Sequence, residues 1–169
     1  MSMRDLETAF SNMRANAHLM DFMGPRPEDL VSAAETAIGF AFPATFRRFA
    51  LELGADNFGA TEIYGVTTDN FVSATVPNGV WRTLQDRAKG YIPPSFFEVY
   101  DTGIGSVYCL DLARRDAQGE CPVFEIYLGD TLDAQPSEPV AEDFGSLLLY
   151  LVQRELEFHS EEDLEKDMD

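Results

Sequence analysis

Cysteine and histidine are both scarce, two of each, and cations are few: 12 Lys and Arg stand against 30 Asp and Glu, a formal net charge of −18. Cys109 and Cys121 form no C-x-x-C pair and have no histidine at metal-ligand spacing, so neither a disulfide framework nor a zinc site is expected. His18 and His159 fall in terminal segments, and neither has a nucleophile beside it in sequence. No stretch approaches the ~18 consecutive apolar residues of a membrane span, and the start Met1-Ser2-Met3-Arg4-Asp5 lacks the basic and apolar regions of a signal peptide. The expected compartment is the cytoplasm, with reduced thiols. Glycines 54, 59 and 65 fit neither G-x-G-x-x-G nor a G-K-[ST] ending, and no D-x-D-x-D-G calcium loop occurs, so no cofactor and no metal are expected. The negative field repels nucleic acid and anionic membrane, and it favours encounter with a basic protein.

What is present suffices for one folded unit. The chain has 169 residues, 45% of them hydrophobic and thirteen of them Phe, within the ~100–200 residues of a single domain. Leu6, Phe10, Met13, Ala17 and Met20 recur at helical spacing, and Ser2 with Asp5 three residues on resembles a capping box. Gly24-Pro25-Arg26-Pro27 stops that helix. Leu30, Val31, Ala34 and Ile38 make a second apolar stripe ending at Gly39, and Pro43 opens a third helix through Phe46, Phe49, Ala50 and Leu53 that Gly54 closes.

Strands are expected at residues 62–66, 96–100, 107–112 and 123–128, with Asp116-Ala117-Gln118-Gly119 as a hairpin turn between the last two. Val80, Trp81, Leu84 and Ala88 fit a short helix, and Phe144, Leu147, Leu148, Leu151 and Val152 a wide-faced core helix. From Glu155 onward acidic residues dominate, which reads as a frayed, solvated tail. The fold class is α+β: a single domain with a mainly antiparallel or mixed sheet between N- and C-terminal helices. Its expected divisions are residues 1–25, the first helix; 26–156, the α+β body; and 157–169, the acidic tail.

Asp101-Thr102-Gly103 is the one catalytic temptation, because an Asp-Thr-Gly loop presents one carboxylate of an aspartic-protease pair. No second Asp-Thr/Ser-Gly exists in the chain and Ile104 fills a place usually taken by a small residue, so a turn whose Asp accepts backbone hydrogen bonds is the expectation.

The order of these signals resembles the SUKH (Smi/Knr-type) superfamily, in four stretches. Glu35, Ile38-Gly39, Phe42-Pro43, Phe46 and Phe49 follow its helix-pair pattern; Glu62 to Val66 its short strand; Asp101 to Asp111 its "D..G..Y.LD" strand pair; and Val140 to Leu148 its closing helix. The likeness spans about residues 26–156. It implies a non-catalytic protein-binding domain: an immunity protein occluding a cognate polymorphic or contact-dependent toxin, or else an intracellular regulatory or scaffold domain without a toxin. The implied partner is a protein, a basic toxin domain with a nuclease as one form, and the chain itself is expected as a monomer or weak homo-oligomer. Contact candidates are Asp101, Asp111, Asp116 and Glu120, each with a turn or cap role as its alternative, and Tyr64 with a core position as its alternative.

Overall fold

A computed structural model describes residues 2–168. Five helices and six strands follow one another as α1 (Ser2–Ala15), β1 (Met20–Phe22), α2 (Glu28–Ile38), α3 (Ala44–Glu52), β2 (Asp56–Phe58), β3 (Thr61–Ile63), α4 (Gly79–Ala88), β4 (Phe96–Asp101), β5 (Ser106–Asp111), β6 (Val123–Tyr127) and α5 (Phe144–Lys166). The strands form a single antiparallel sheet in sequential order β1 to β6. Helices at both ends of the chain close one face of it, as the α+β expectation had it.

The second and third helices end where their punctuation predicts, but the first does not run on to Gly24-Pro25: α1 stops at Ala15, and Met20, expected on its apolar stripe, opens β1. Pro27 and Pro43 stand just before α2 and α3 in extended conformation, one position earlier than a first-turn proline. Gly39 ends α2 at φ 83°, a left-handed conformation that a side chain disfavours. Ser2 lies inside α1 rather than capping it, and Asp5 accepts a hydrogen bond from Ser146 Oγ on α5 at 3.1 Å. That contact belongs to the α1–α5 interface, where Leu6, Ala9, Phe10 and Met13 are buried. Gly145 permits the close approach, since a Cβ there would lie 2.0 Å from the Ser2 carbonyl oxygen.

The main core is aromatic. Phe46 on α3 sits at its hub, with ring centroids 4.8 Å from Phe42, 5.0 Å from Phe97 on β4 and 5.1 Å from Phe144 on α5, mostly edge to face. A smaller cluster of Ile92, Val107, Cys109, Phe124 and Ile126 covers the opposite face of β4–β6. The thiols are buried and free, and burial pushes Cys121 up to about 11, so neither is a ready nucleophile.

Two strands escape the sequence pattern, β1 and β2, because three-residue segments carry too few positions to show alternation. β3 pairs with β4 at Ile63↔Tyr100, and Tyr64 N–H adds a bond to Val99 O at 2.8 Å. Beyond that point α4 replaces a strand. Thr83 Oγ1 accepts the Glu98 N–H at 2.9 Å and the Arg87 guanidinium donates to Phe96 O at 3.0 Å, so the backbone groups of β4 stay paired. The diversion depends on Gly65, where a Cβ would fall 1.7 Å from Gly54 O. Around it Val66 N–H donates to Gly54 O, and Gly79 N–H to Gly65 O, each at 2.8 Å.

The β6 edge is covered at two places. Bonds across the β5–β6 pair alternate so that Val123, Glu125 and Tyr127 present their backbone groups outward. Val123 exchanges bonds with Val140 and Ala141, while the Gln135 side-chain amide accepts from Tyr127 N–H at 2.7 Å and donates to Tyr127 O at 2.9 Å. The loop from Asp130 to Pro139 is held against the sheet by that imitation of a peptide group. Asp116 to Gly119 does turn, with Gly119 at φ 80°, but within an eleven-residue connection from 112 to 122 and not as a tight hairpin.

Two predictions follow from this architecture. Gly65→Ala overpacks backbone against backbone, and its cost is ~3 kcal/mol or non-folding, read as the loss of unfolding free energy in urea. Asp56 on β2 is buried; one oxygen accepts Asp21 N–H at 3.1 Å and the other has no partner. Burial raises its carboxyl from 3.8 to about 6. The folded protein thus holds this proton more tightly than the unfolded chain, so the stabilisation is complete below 3.8 and is lost as pH rises through 6. The interval bounds the loss at ~3 kcal/mol. Asp56→Asn removes this slope and raises stability at about pH 7.5 relative to the unaltered protein, measured by urea unfolding on either side of about pH 6.

Candidate functional site

The five sequence candidates do not converge. Asp101 and Asp111 lie at opposite ends of the β4–β5 pair, which runs from Phe96↔Asp111 to Asp101↔Val107. Asp101 Oδ1 accepts the Gly103 N–H at 2.8 Å, the turn expected of it. Asp111 accepts from Ser95 Oγ and Ala113 N–H, each at 3.2 Å. Exposed Asp116 accepts from Gln118 N–H at 2.8 Å and Glu120 N–H at 3.0 Å.

The other two are interior groups and so are not available to a partner. Tyr64 is 4% exposed, with its Cβ close to Gly79 at the start of α4. Glu120 is 2% exposed and reaches the start of α3, accepting Thr45 N–H at 3.1 Å and Thr45 Oγ1 at 2.7 Å. It supplies the cap that Pro43 cannot, since proline has no side-chain acceptor. Burial raises its carboxyl above the usual value, against the Thr45 bonds that lower it.

The acidic segment after Glu155 is helical to Lys166, not frayed. Its first member is structural: Glu155 is buried, accepting Ala60 N–H and Thr61 Oγ1, each at 2.9 Å, and so ties α5 to the β2–β3 turn. A Cβ at Gly59 would lie 2.2 Å from Glu155 Oε1, which explains the glycine. Exposed Glu157, Glu161, Asp163 and Glu165 then continue the helix beyond the sheet.

A second buried group escaped the sequence pattern. Glu98 and Asp86 are fully enclosed between β4 and α4, and Arg82 Nε bonds both, at 3.1 and 2.9 Å. Glu98 Oε1 has no hydrogen-bond partner, and Asp86 Oδ2 meets Arg82 Nε as an ion pair without hydrogen-bond geometry. Burial, reinforced by Asp86, raises Glu98 to about 9, so Glu98 keeps its proton at neutral pH. It is sealed from solvent and acts as a joint between helix and strand.

A tyrosine face at the hairpin end of the sheet gathers exposed and half-buried groups around the buried Tyr100. Tyr100, Tyr108 and Glu125 lie across from one another on β4, β5 and β6, with Tyr127 two residues on. The Tyr100 and Tyr108 rings are 5.3 Å apart. Arg154 of α5 donates to Tyr100 Oη at 2.8 Å, and its guanidinium lies 5.7 Å from the centres of both the Tyr100 and Tyr150 rings. Tyr150 is 53% exposed and Phe158 54%, and with Arg154 they share the i, i+4, i+8 face of α5. Ser106 Oγ donates to Glu125 Oε1 at 2.7 Å, and Thr102 Oγ1 lies 2.7 Å from Ser106 Oγ. The Glu125 carboxylate is the main influence raising the Tyr127 hydroxyl, whereas burial is the larger cause for Tyr108.

Sequence reasoning missed this face because its members come from four separate elements, and each tyrosine alone reads as a strand or helix residue. The pattern suits protein recognition: aromatic rings and a shared guanidinium in the middle, carboxylates around them. Arg26 and Arg115, by contrast, bond backbone carbonyls, Arg115 those of Leu112, Gly119 and Ala41. Its place in the sequence as half of an ordinary surface arginine pair concealed that role.

The model of a protein family described as SMI1-KNR4 cell-wall, of the SUKH group, matches residues 6–153. The match begins within α1, which the sequence resemblance left outside. No curated protein matches the chain. Among the described residues, no helix is long and apolar enough to cross a membrane.

The structural role assigned to Glu120 predicts that Glu120→Ala lowers stability by ~2 kcal/mol, through the lost cap and an unpaired buried Thr45. Asp116→Ala, on the exposed turn, costs less; thermal unfolding of both variants checks the order.

Proposed function

This chain belongs to the SMI1-KNR4 family of SUKH proteins, and from that premise we propose that it is a non-catalytic binding domain whose partner is a basic protein. The tyrosine face carries the proposal. Tyr150, Arg154 and Phe158 share one face of one helix, with Arg154 and Tyr150 beside Tyr100 and Tyr108 of the sheet, and tyrosine and arginine are the residues that anchor protein interfaces. The carboxylates of the α5 extension border them, within a chain of net charge −18.

In the immunity-type form of this function, the partner is a toxin whose active or substrate face the domain covers. A toxin nuclease has a basic nucleic-acid groove, so an acidic cover competes with phosphate for the same cations. The tyrosines then fix the docked orientation, while the long-range field sets the rate of encounter. A regulatory domain with an endogenous partner is the second form, and the family's cell-wall description favours it.

The test is co-expression with a toxin-like protein encoded beside this gene, with survival as the first readout and a stoichiometric complex on size-exclusion chromatography as the second. The immunity form predicts rescue. Tyr150→Ala and Arg154→Ala are expected to weaken the complex about 30-fold each, corresponding to ~2 kcal/mol for an interface anchor. Raising salt is expected to slow association more than it speeds dissociation, measured by stopped-flow mixing. No rescue and no complex would transfer the proposal to the regulatory form.

A further inference from the structure

The opposite face of the sheet holds a separate groove of 330 Å³, bounded by Pro93, Phe96, Asp111, Arg114, Phe124 and Gln135. Its floor is a pair of stacked rings, Phe96 and Phe124, with centroids 5.9 Å apart and planes 25° apart. Its volume lies at the small end of the ~300–1,000 Å³ typical of ligand sites, which suits a single side chain better than a nucleotide.

One guanidinium already lies in it. Arg114 is stacked 5.1 Å from the centre of the Phe124 ring, and its Nε is 3.9 Å from Asp111 Oδ2. Both contacts are slack. The Arg114 side chain is 64% exposed and the ion pair is at the limit of contact, so this pairing contributes little to stability. Asp111 is held differently: its Oδ1 accepts from Ser95 Oγ and Ala113 N–H, which fixes the carboxylate and leaves Oδ2 toward the groove.

We propose that this groove receives an arginine side chain from a basic partner segment, and that Arg114 occupies the place until it arrives. The incoming guanidinium lies flat over Phe124 and Phe96 with its head on Asp111 Oδ2, while Arg114 swings into solvent, where it is already mostly exposed. Two observations select this occupant. The chain's charge of −18 draws cations, and a stacked pair of rings beside a fixed carboxylate matches a planar guanidinium better than a compact ammonium. The inference adds a second contact to the proposed protein-binding function and rests on it for the identity of the partner.

The probe is a single blocked amino acid, Nα-acetyl-arginine amide, so the experiment is independent of the toxin and of the tyrosine face. Binding is followed by NMR through the ring protons of Phe96 and Phe124. Arg114→Ala is expected to tighten binding about fivefold, the removal of an exposed cation–π competitor. Asp111→Asn placed in that background abolishes the gain, and the blocked lysine analogue binds more weakly than the arginine one. Equal affinity with and without Arg114 overturns the proposal. So does equal binding of lysine, or shifts spread over the acidic surface in place of these two rings, because either reduces the effect to general charge attraction. Failure here leaves the protein-binding reading intact, since that depends on Tyr150 and Arg154.

Discussion

The contact between Gly65 and Gly54 governs how the two halves of this molecule meet. Two backbones approach so closely that no side chain fits between them, and three chain segments exchange hydrogen bonds around the crossing. Because the chain turns away from β4 at Gly65, only one residue pair links β3 to β4, and the strand's remaining backbone groups need another partner. α4 provides it, through Thr83 and Arg87. The burial of Glu98 follows from this geometry, since a helix laid along a strand edge encloses whatever side chain the strand points toward it. Arg82 and the proton that Glu98 keeps then limit the cost of burying two carboxyl groups.

Carboxylates favour water, yet several in this acidic chain work inside. Glu120 caps α3, Glu155 holds the β2–β3 turn, and Asp143 caps α5 by accepting Ser146 N–H at 2.8 Å. Glu120 and Glu155 join elements far apart in sequence. Several arginines, Arg47, Arg48, Arg87 and Arg115 among them, are likewise tied to carboxylates or backbone carbonyls, so little positive charge offsets the acidic surface. The binding faces are the exceptions: Tyr150 and Phe158 remain open on one side of the sheet, and the Asp111–Arg114 pair is loosely made on the other.

How much of this was legible in the sequence depended on range. Helices α2 and α3 could be read because Pro27, Gly39, Pro43 and Gly54 act locally, and β4 to β6 because five or six residues suffice to show apolar runs. The short β1 and β2 could not. A run of like charge signals solvent only when its members share an environment, and Glu155 does not share that of Glu157. Likewise Glu120 looked like a turn residue open to a partner, and Tyr64 stood between core and contact, because the groups that bury them, Thr45 and α4, are 15 or more positions away. The tyrosine face was illegible for the same reason: no spacing along the chain announces that Tyr100, Tyr108, Tyr127 and Tyr150 meet.

The Gln135 amide that copies a peptide group on β6 restricts how this protein recognises others. With Val123 occupied on one side and Tyr127 on the other, the intervening Glu125 offers an incoming chain a foothold of a single residue, too short to extend the sheet. Recognition by strand addition is largely indifferent to sequence, because every polypeptide carries the same backbone groups. On this edge, closing that route leaves partners to be chosen by their side chains and not by the backbone groups that every chain carries.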